Sequence, residues 1–283
     1  MSVNHYENFP VASILCPPKL RPAVAAIYWF ARTADDLADE GDLDSHTRQN
    51  DLHAYRHDLL NSVAGQPISN RWKPVFEPLA PVIQQHQLSV SLFTDLLSAF
   101  EQDLLQKQYR DRSELLDYCR RSANPIGRLL LQLYGVHDSP ALQQSDAICT
   151  ALQLANFWQD LSIDVTRGRL YLPLEDCTRH GLKAENVLAG PDSLELRNTL
   201  RQLVSWTRGL MHEGAPLVHS LPGRAGWELR LVVQGGLRIL ETIERLNFAT
   251  MTQRPTVTVW DGPTLLWRAA RMRATKQPQH ATA

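Results

Sequence analysis

Apolar residues recur every three or four positions over seven long stretches, near residues 20–40, 45–63, 89–107, 112–135, 142–166, 193–219 and 225–248. That period lines them up on one side of a helix. The alternation expected of a half-buried strand is confined to Thr256-Val257-Thr258-Val259. A chain with this pattern buries its stripes by packing helix on helix. Breakers punctuate the stretches at Gly65-Gln66-Pro67, Asp138-Ser139-Pro140, Gly190-Pro191-Asp192 and Leu221-Pro222-Gly223. They are evenly spread, and the sequence has no long linker, no internal repeat and no low-complexity block. The expectation is one all-α domain over residues 1–275, a helical bundle with a central pocket, and a frayed polar tail over 276–283.

Composition removes several classes of function. Lys and Arg total 29 against 30 Asp and Glu, a net charge of −1, which argues against a nucleic-acid partner. The longest apolar run, Pro22 to Ala31, is far short of the ~18 residues of a membrane span. Met1 to Pro10 has neither the basic nor the apolar region of a signal peptide. A cytoplasmic location is expected, with a peripheral membrane contact left open. Cys16, Cys119, Cys149 and Cys177 are far apart and form no C-x-x-C pair, so reduced thiols are expected rather than a disulfide framework or a zinc site.

Two local signals shape the stretch at 112–135. Asp111 and Ser113 stand where a helix cap belongs. Pro125, within Ala123-Asn124-Pro125-Ile126-Gly127, lacks a backbone donor and should kink the helix there.

The acids are the features with chemical content. Asp35, Asp36, Asp39 and Glu40 follow the apolar run Tyr28-Trp29-Phe30-Ala31. Asp35 and Asp39 stack on one helix face, and Asp36 and Glu40 form a second pair. Like charges at that spacing repel, and acids near a helix C-terminus oppose its dipole. The cluster therefore calls for a compensating cation, and oxygen donors alone favour Mg²⁺ or Mn²⁺ over zinc. A second stripe places Asn156, Asp160 and Asp164 one above another, with Gln153 extending it one turn back. Arg167-Gly168-Arg169-Leu170-Tyr171 follows directly and supplies two guanidinium groups suited to phosphate oxygens. Two acidic stripes with arginines point to a diphosphate held through metal ions, and to ionisation of a carbon–oxygen bond inside an apolar pocket.

These motifs resemble those of the squalene and phytoene synthases, all-α isoprenoid synthases with two aspartate motifs on facing helices. Asp35-Asp36-Leu37-Ala38-Asp39 is similar to the first motif. Asn156 to Asp164, followed by Gly168-Arg169-Leu170-Tyr171-Leu172-Pro173, is similar to the second. The resemblance runs from about His5 to Arg268. Within the family the chain most resembles the hydroxysqualene synthases of bacterial hopanoid biosynthesis, through His5-Tyr6-Glu7-Asn8-Phe9-Pro10-Val11, Phe30 to Asp36, and Arg121 to Gly127. The resemblance implies hydrolysis of presqualene diphosphate to hydroxysqualene and diphosphate, between separate enzymes that make the one and reduce the other.

It further implies roles for individual residues. Asp35, Asp39, Asn156, Asp160 and Asp164 would hold two or three Mg²⁺ ions, with Asp36 a weaker ligand. Arg32, Arg169, Tyr171, Arg254 and His5 would contact or steady the diphosphate. Tyr28, Phe9, Tyr118, Phe157 and Trp158 are candidates for the pocket wall, where ring faces stabilise a cation; Gln153 joins the substrate-binding set, and Asn124 would orient the water. Three departures from the wider family bear on the reaction. Tyr6-Glu7-Asn8 stands where condensing enzymes carry a basic Ser-Lys-Ser-type segment, Asn124-Pro125 interrupts a small apolar segment, and Gly236 takes the place of a tyrosine and should leave room or admit water.

No G-x-G-x-x-G follows a strand, and no nicotinamide is expected. His53 and His57 have the i, i+4 spacing without an H-E-x-x-H motif. Arg268, Arg271, Arg273 and Lys276 form a basic end, read as a solvated helix end or as a steering element for anionic lipid. The competing readings are head-to-head condensation of two prenyl diphosphates and a non-catalytic helical subunit.

Overall fold

The computed structural model describes residues 16–41 and 43–272. His5, Phe9 and the polar tail lie outside the described residues. The elements are α1 (Arg21–Asp39), α2 (Ser45–Val63), α3 (Lys73–His86), α4 (Val90–Leu105), α5 (Arg112–Ser122), α6 (Asn124–Leu133), α7 (Ser139–Gln159), α8 (Leu161–Thr166), α9 (Leu174–Arg179), α10 (Ala184–Leu188), α11 (Leu194–Gly214), α12 (Leu217–Ser220), α13 (Gly223–Arg245) and α14 (Gly262–Arg271). A 3₁₀ turn, Val259–Asp261, precedes α14. The Thr256–Val259 stretch forms no strand, and a lone parallel bridge joins Gln108 to Leu170.

α1 packs on α2, α3 and α4, while α7 packs on α6, α11 and α13. The first group closes around Phe30, Tyr55, Phe76 and Phe93, all fully buried. Each such ring contributes about 1.5–3 kcal/mol by leaving water. The second group closes around Trp158, whose indole N–H donates to the Thr207 hydroxyl at 2.8 Å. That bond satisfies the polar edge of a buried ring. Trp158 is thus a core residue rather than a pocket wall.

Three local outcomes differ from the sequence reading. α3 carries Pro74, Pro78 and Pro81, all facing solvent, where water can satisfy the carbonyls they leave unpaired, while Phe76, Leu79 and Ile83 face inward. The 112–135 stretch does not kink but divides at Ala123, with Pro125 in the first turn of α6, where its missing N–H costs nothing. Asp111 caps α5 by accepting from the Glu114 amide. Gly236 leaves no open space: a Cβ there would meet the Met211 methyl at 2.6 Å and Leu152 at 2.9 Å, so the glycine lets α13 approach α11 and α7.

Candidate active site between α1 and α7

α7 and α8 part at Asp160, yet the acidic stripe survives the break. The Asp160 amide donates to the Asn156 carbonyl at 2.8 Å, and the Asp164 amide to the Asp160 carbonyl at 3.0 Å. These bonds keep the three residues one above another. α8 then ends in a Schellman turn. Gly168 (φ 69°) donates to the Val165 carbonyl and Arg169 to that of Asp164, both at 2.9 Å. The left-handed conformation suits glycine. The turn reverses the chain and carries Arg169 to α1, where it grips Asp39 at 2.5 and 3.0 Å. Arg167 reaches the same carboxylate at 3.3 Å.

The cation that the first acidic cluster calls for is supplied here by arginines. Arg32 pairs with Asp35 at 3.2 Å and with Asp36 and Glu40 at 2.7 Å. Arg48 on α2, 8% exposed, donates to the carbonyls of Leu37, Glu40, Gly41 and Leu43. It caps α1 and offsets the negative end of its dipole. Arg254, from the segment after α13, holds Asp160 at 2.5 and 3.1 Å. Gln159 fixes that segment by donating to the Pro255 carbonyl at 2.7 Å.

Burial would raise Asp39, but the Arg169 hydrogen bond and the charges of Arg169, Arg167 and Lys107 hold it below the usual carboxylate range. Asp164 goes the other way. Burial and then the Asp160 charge, with a smaller push from Asp39, raise it to about 7 against the pull of Arg169 and Arg167. Acids from both stripes therefore share one electrostatic neighbourhood. Among the described residues no three acid, His or Cys side chains already form a metal cage, because guanidinium groups stand between them. The donor chemistry, all oxygen and strongly anionic, is that of a hard divalent cation.

Two cavities flank this region. One of about 250 Å³ is charged, with Asp39, Arg48, Lys107, Arg167 and Arg169 in its wall. The other, about 110 Å³, is apolar, with Val24, Leu130, Leu131, Cys149, Leu152 and Leu229 in its wall. The same face of α1 runs from Val24 through Tyr28, Arg32 and Asp35 to Asp39, about 22 Å along the axis. On α7, Cys149, Gln153, Asn156 and Asp160 make the parallel stripe, about 16 Å long. α1 thus leads from the apolar cavity to the charged one, and α7 leads from the same apolar cavity to Asp160 and its partner Arg254.

The chain matches the squalene/phytoene synthase family over residues 3–261. It belongs to that family. The hydroxysqualene synthase of Rhodopseudomonas palustris is 33% identical over 84% of this chain and 80% of its own length. The 15-cis-phytoene synthase of Pantoea ananas is 28% identical over 95% and 90%. The crystal structure of squalene synthase HpnC from Alicyclobacillus acidocaldarius superposes with a TM-score of 0.79 at 36% identity, covering 86% of this chain and 90% of that one. As a squalene/phytoene synthase, the chain is an enzyme of isoprenoid synthesis that takes a prenyl diphosphate. No helix among the described residues is long and apolar enough to cross a membrane.

Within this synthase the aromatic candidates divide. Tyr28 is half-buried and meets Trp29 edge-on at 5.3 Å. Phe157 and Tyr171 stack in parallel at 3.8 Å, with Tyr109 and Tyr118 against them. Tyr171 is buried in that stack beside Arg169 rather than standing in the cavity wall. None of Tyr28, Tyr118, Phe157 and Trp158 lines the apolar cavity, whose walls are mostly aliphatic, with Tyr134 the ring among them. Asn124, buried at the start of α6, accepts from the Thr150 hydroxyl at 2.9 Å and ties α6 to α7.

Sequence reasoning missed Arg48, Lys107 and Asp103. Asp103 is buried on α4 and accepts from the Tyr118 hydroxyl at 2.7 Å. Its other oxygen is buried with no hydrogen-bond partner, and burial raises the carboxyl to about 6. One of three scattered acids on α4, beside Asp95 and Glu101, gives little signal. The nearest one is its place four residues before Lys107, whose ammonium donates to the Asp103 carbonyl at 2.8 Å.

Proposed function

We propose that the chain ionises presqualene diphosphate and lets water capture the resulting carbocation, releasing hydroxysqualene and inorganic diphosphate. The observation that carries this reading is the α1 stripe, which leads from an apolar cavity to one rich in arginine and acid, with the α7 stripe leading from the same apolar cavity to the Asp160–Arg254 ion pair. A ligand with an anionic head and long apolar tails matches both ends. Relatives named hydroxysqualene synthase, at 29–36% identity, support the specific substrate.

Asp35, Asp39, Asn156, Asp160 and Asp164 would hold Mg²⁺, which when bound supplies the positive charge that lets diphosphate depart. Arg167 and Arg169 receive the diphosphate oxygens as their hold on Asp39 is exchanged, with Lys107 adding its charge in the same cavity. The ester carbon–oxygen bond breaks with its electron pair on the diphosphate. The cyclopropylcarbinyl cation rearranges to an allylic one between the apolar walls, shielded from bulk water. Asn124, its oxygen fixed by Thr150, keeps its amide N–H₂ to orient the water. Water oxygen forms the new bond, and its proton passes to the diphosphate.

Phytoene synthase relatives spanning nearly the whole chain support a second reading, head-to-head condensation. Purified enzyme with Mg²⁺ and no nicotinamide, given farnesyl or presqualene diphosphate in parallel, separates the two by mass spectrometry. An alcohol from presqualene diphosphate alone is expected. Conversion of farnesyl diphosphate to a C30 product would overturn the reading.

A further inference from the structure

The end of the described chain presents an apolar face that the catalytic reading does not use. α14 buries Ala269 against the body of the protein and packs on α13. Its outer face carries Pro263, Leu266, Trp267 and Ala270 at i, i+3, i+4 and i+7, all exposed. Val259 and Trp260, just before it, are 78% and 87% exposed. Exposing so much apolar surface costs free energy unless something covers it.

The charges around this face are net positive. Arg230, Arg238, Arg268 and Arg271 stand on or beside α14 against Asp261 and Glu241, in a protein of net charge −1. The acids nearest α14 are already neutralised. Arg238 holds Asp261 at 2.6 Å, and Arg268 and Arg238 hold Glu241 at 2.5 and 3.0 Å. Arg271 lies over the Trp267 ring at 4.5 Å and faces solvent. Exposed indoles beside arginines on a short amphipathic helix match the headgroup region of a bilayer, where the ring is half in hydrocarbon and the cation meets lipid phosphate.

The location adds a reason. Arg230 on α13 donates to the Ala269 and Met272 carbonyls at the end of α14, both at 3.3 Å, and lies over Trp227, itself 43% exposed. The neighbouring residues Ala225, Glu228, Leu229 and Val232 line the apolar cavity. The same two turns of α13 therefore support the exposed face and wall the cavity.

We infer that Val259, Trp260, Leu266 and Trp267, with Arg271, form a docking surface for an anionic lipid bilayer. It places the apolar cavity beside the membrane, so that apolar tails cross little water. The inference goes beyond the reaction proposed above, and its test uses no substrate, so the two can fail separately.

The test is flotation of the full chain with phosphatidylglycerol–phosphatidylcholine vesicles and with phosphatidylcholine vesicles. The expected result is binding to the anionic vesicles that weakens with salt. It should fall by at least about tenfold in a Trp260→Ser, Trp267→Ser double variant, since losing about 1.4 kcal/mol of burial is a factor of ten. Circular dichroism checks that this variant folds, and Leu266→Lys gives an independent loss of binding. Equal binding by the wild-type and variant chains, or no binding by the wild type, would overturn the inference. So would a wild-type dimer that the double variant converts to monomer, which would mean that a second copy covers the face. Vesicle binding that emerges only on deleting residues 1–15 would also overturn it, by making that segment the cover.

Discussion

Replacing Arg48 with methionine removes the guanidinium that closes the C-terminal end of α1 while keeping most of the aliphatic stem. Four backbone carbonyls lose a charged donor, at distances of 2.5 to 3.3 Å. A hydrogen bond to a charged group contributes about 1.5–3 kcal/mol, but the four do not add. Glu40, Gly41 and Leu43 are exposed, so their carbonyls regain water. The cost that remains is the half-buried Leu37 carbonyl and the uncompensated helix dipole, together about 2–3 kcal/mol. Arg120→Met is the control: its partner Asp117 is 52% exposed, and losing such a surface pair costs under about 1 kcal/mol. Guanidinium unfolding measures both. Activity reports further, because Asp35, Asp36 and Asp39 ride on the last turns of α1. Fraying there should lower turnover by about tenfold, equivalent to about 1.4 kcal/mol, under conditions where the protein stays folded. A stability loss no larger than that of Arg120→Met would refute the capping argument.

Three further outcomes follow from the geometry. Asp39→Asn should lower diphosphate release by at least about a hundredfold while changing stability by no more than about 1 kcal/mol, because the ion pairs it breaks are partly exposed; chelating the divalent cation should abolish turnover in the wild type. Asp103, raised from 3.8 to about 6, binds a proton more readily folded than unfolded, so its contribution to stability is greatest at low pH and is lost as pH rises through that window. Asp103→Asn, which still accepts from Tyr118, should therefore gain on the wild type by up to about 3 kcal/mol between pH 4 and pH 7.5, and a difference that does not vary with pH would contradict this. Gly168→Ala forces a Cβ into the left-handed region and should cost about 1–2 kcal/mol, with KM rising as Arg169 shifts, measured by thermal melting and steady-state kinetics.

Helices of regular period were legible from sequence because burial of one face enforces the spacing, and the boundaries of α2 agree with the residues themselves. α3 was not, because three prolines argue against a helix when their exposure is unknown. α14 was hidden for the opposite reason: its apolar stripe faces outward, so no core demanded it. The two acidic stripes stood out because like charges one turn apart are costly. Arg169 and Arg254 were legible as diphosphate contacts, but Arg48 was not, and the pairing of Arg169 with Asp39 and of Arg254 with Asp160 joins separate segments only through folding. The aromatic residues were misleading in a simple way. A ring in sequence can wall a pocket or fill a core, and Trp158 fills the core through a bond to Thr207, 49 positions away. The apolar cavity is made of aliphatic residues that nothing in sequence distinguishes from packing.

The central claim is that water, and no second prenyl group or hydride, ends the reaction. Turnover of presqualene diphosphate in ¹⁸O-labelled water, with Mg²⁺ and without nicotinamide, tests it directly. The account predicts a C30 alcohol carrying the label on its hydroxyl and unlabelled diphosphate. Label in the diphosphate, with an unlabelled alcohol, would place the cleavage at phosphorus and contradict it.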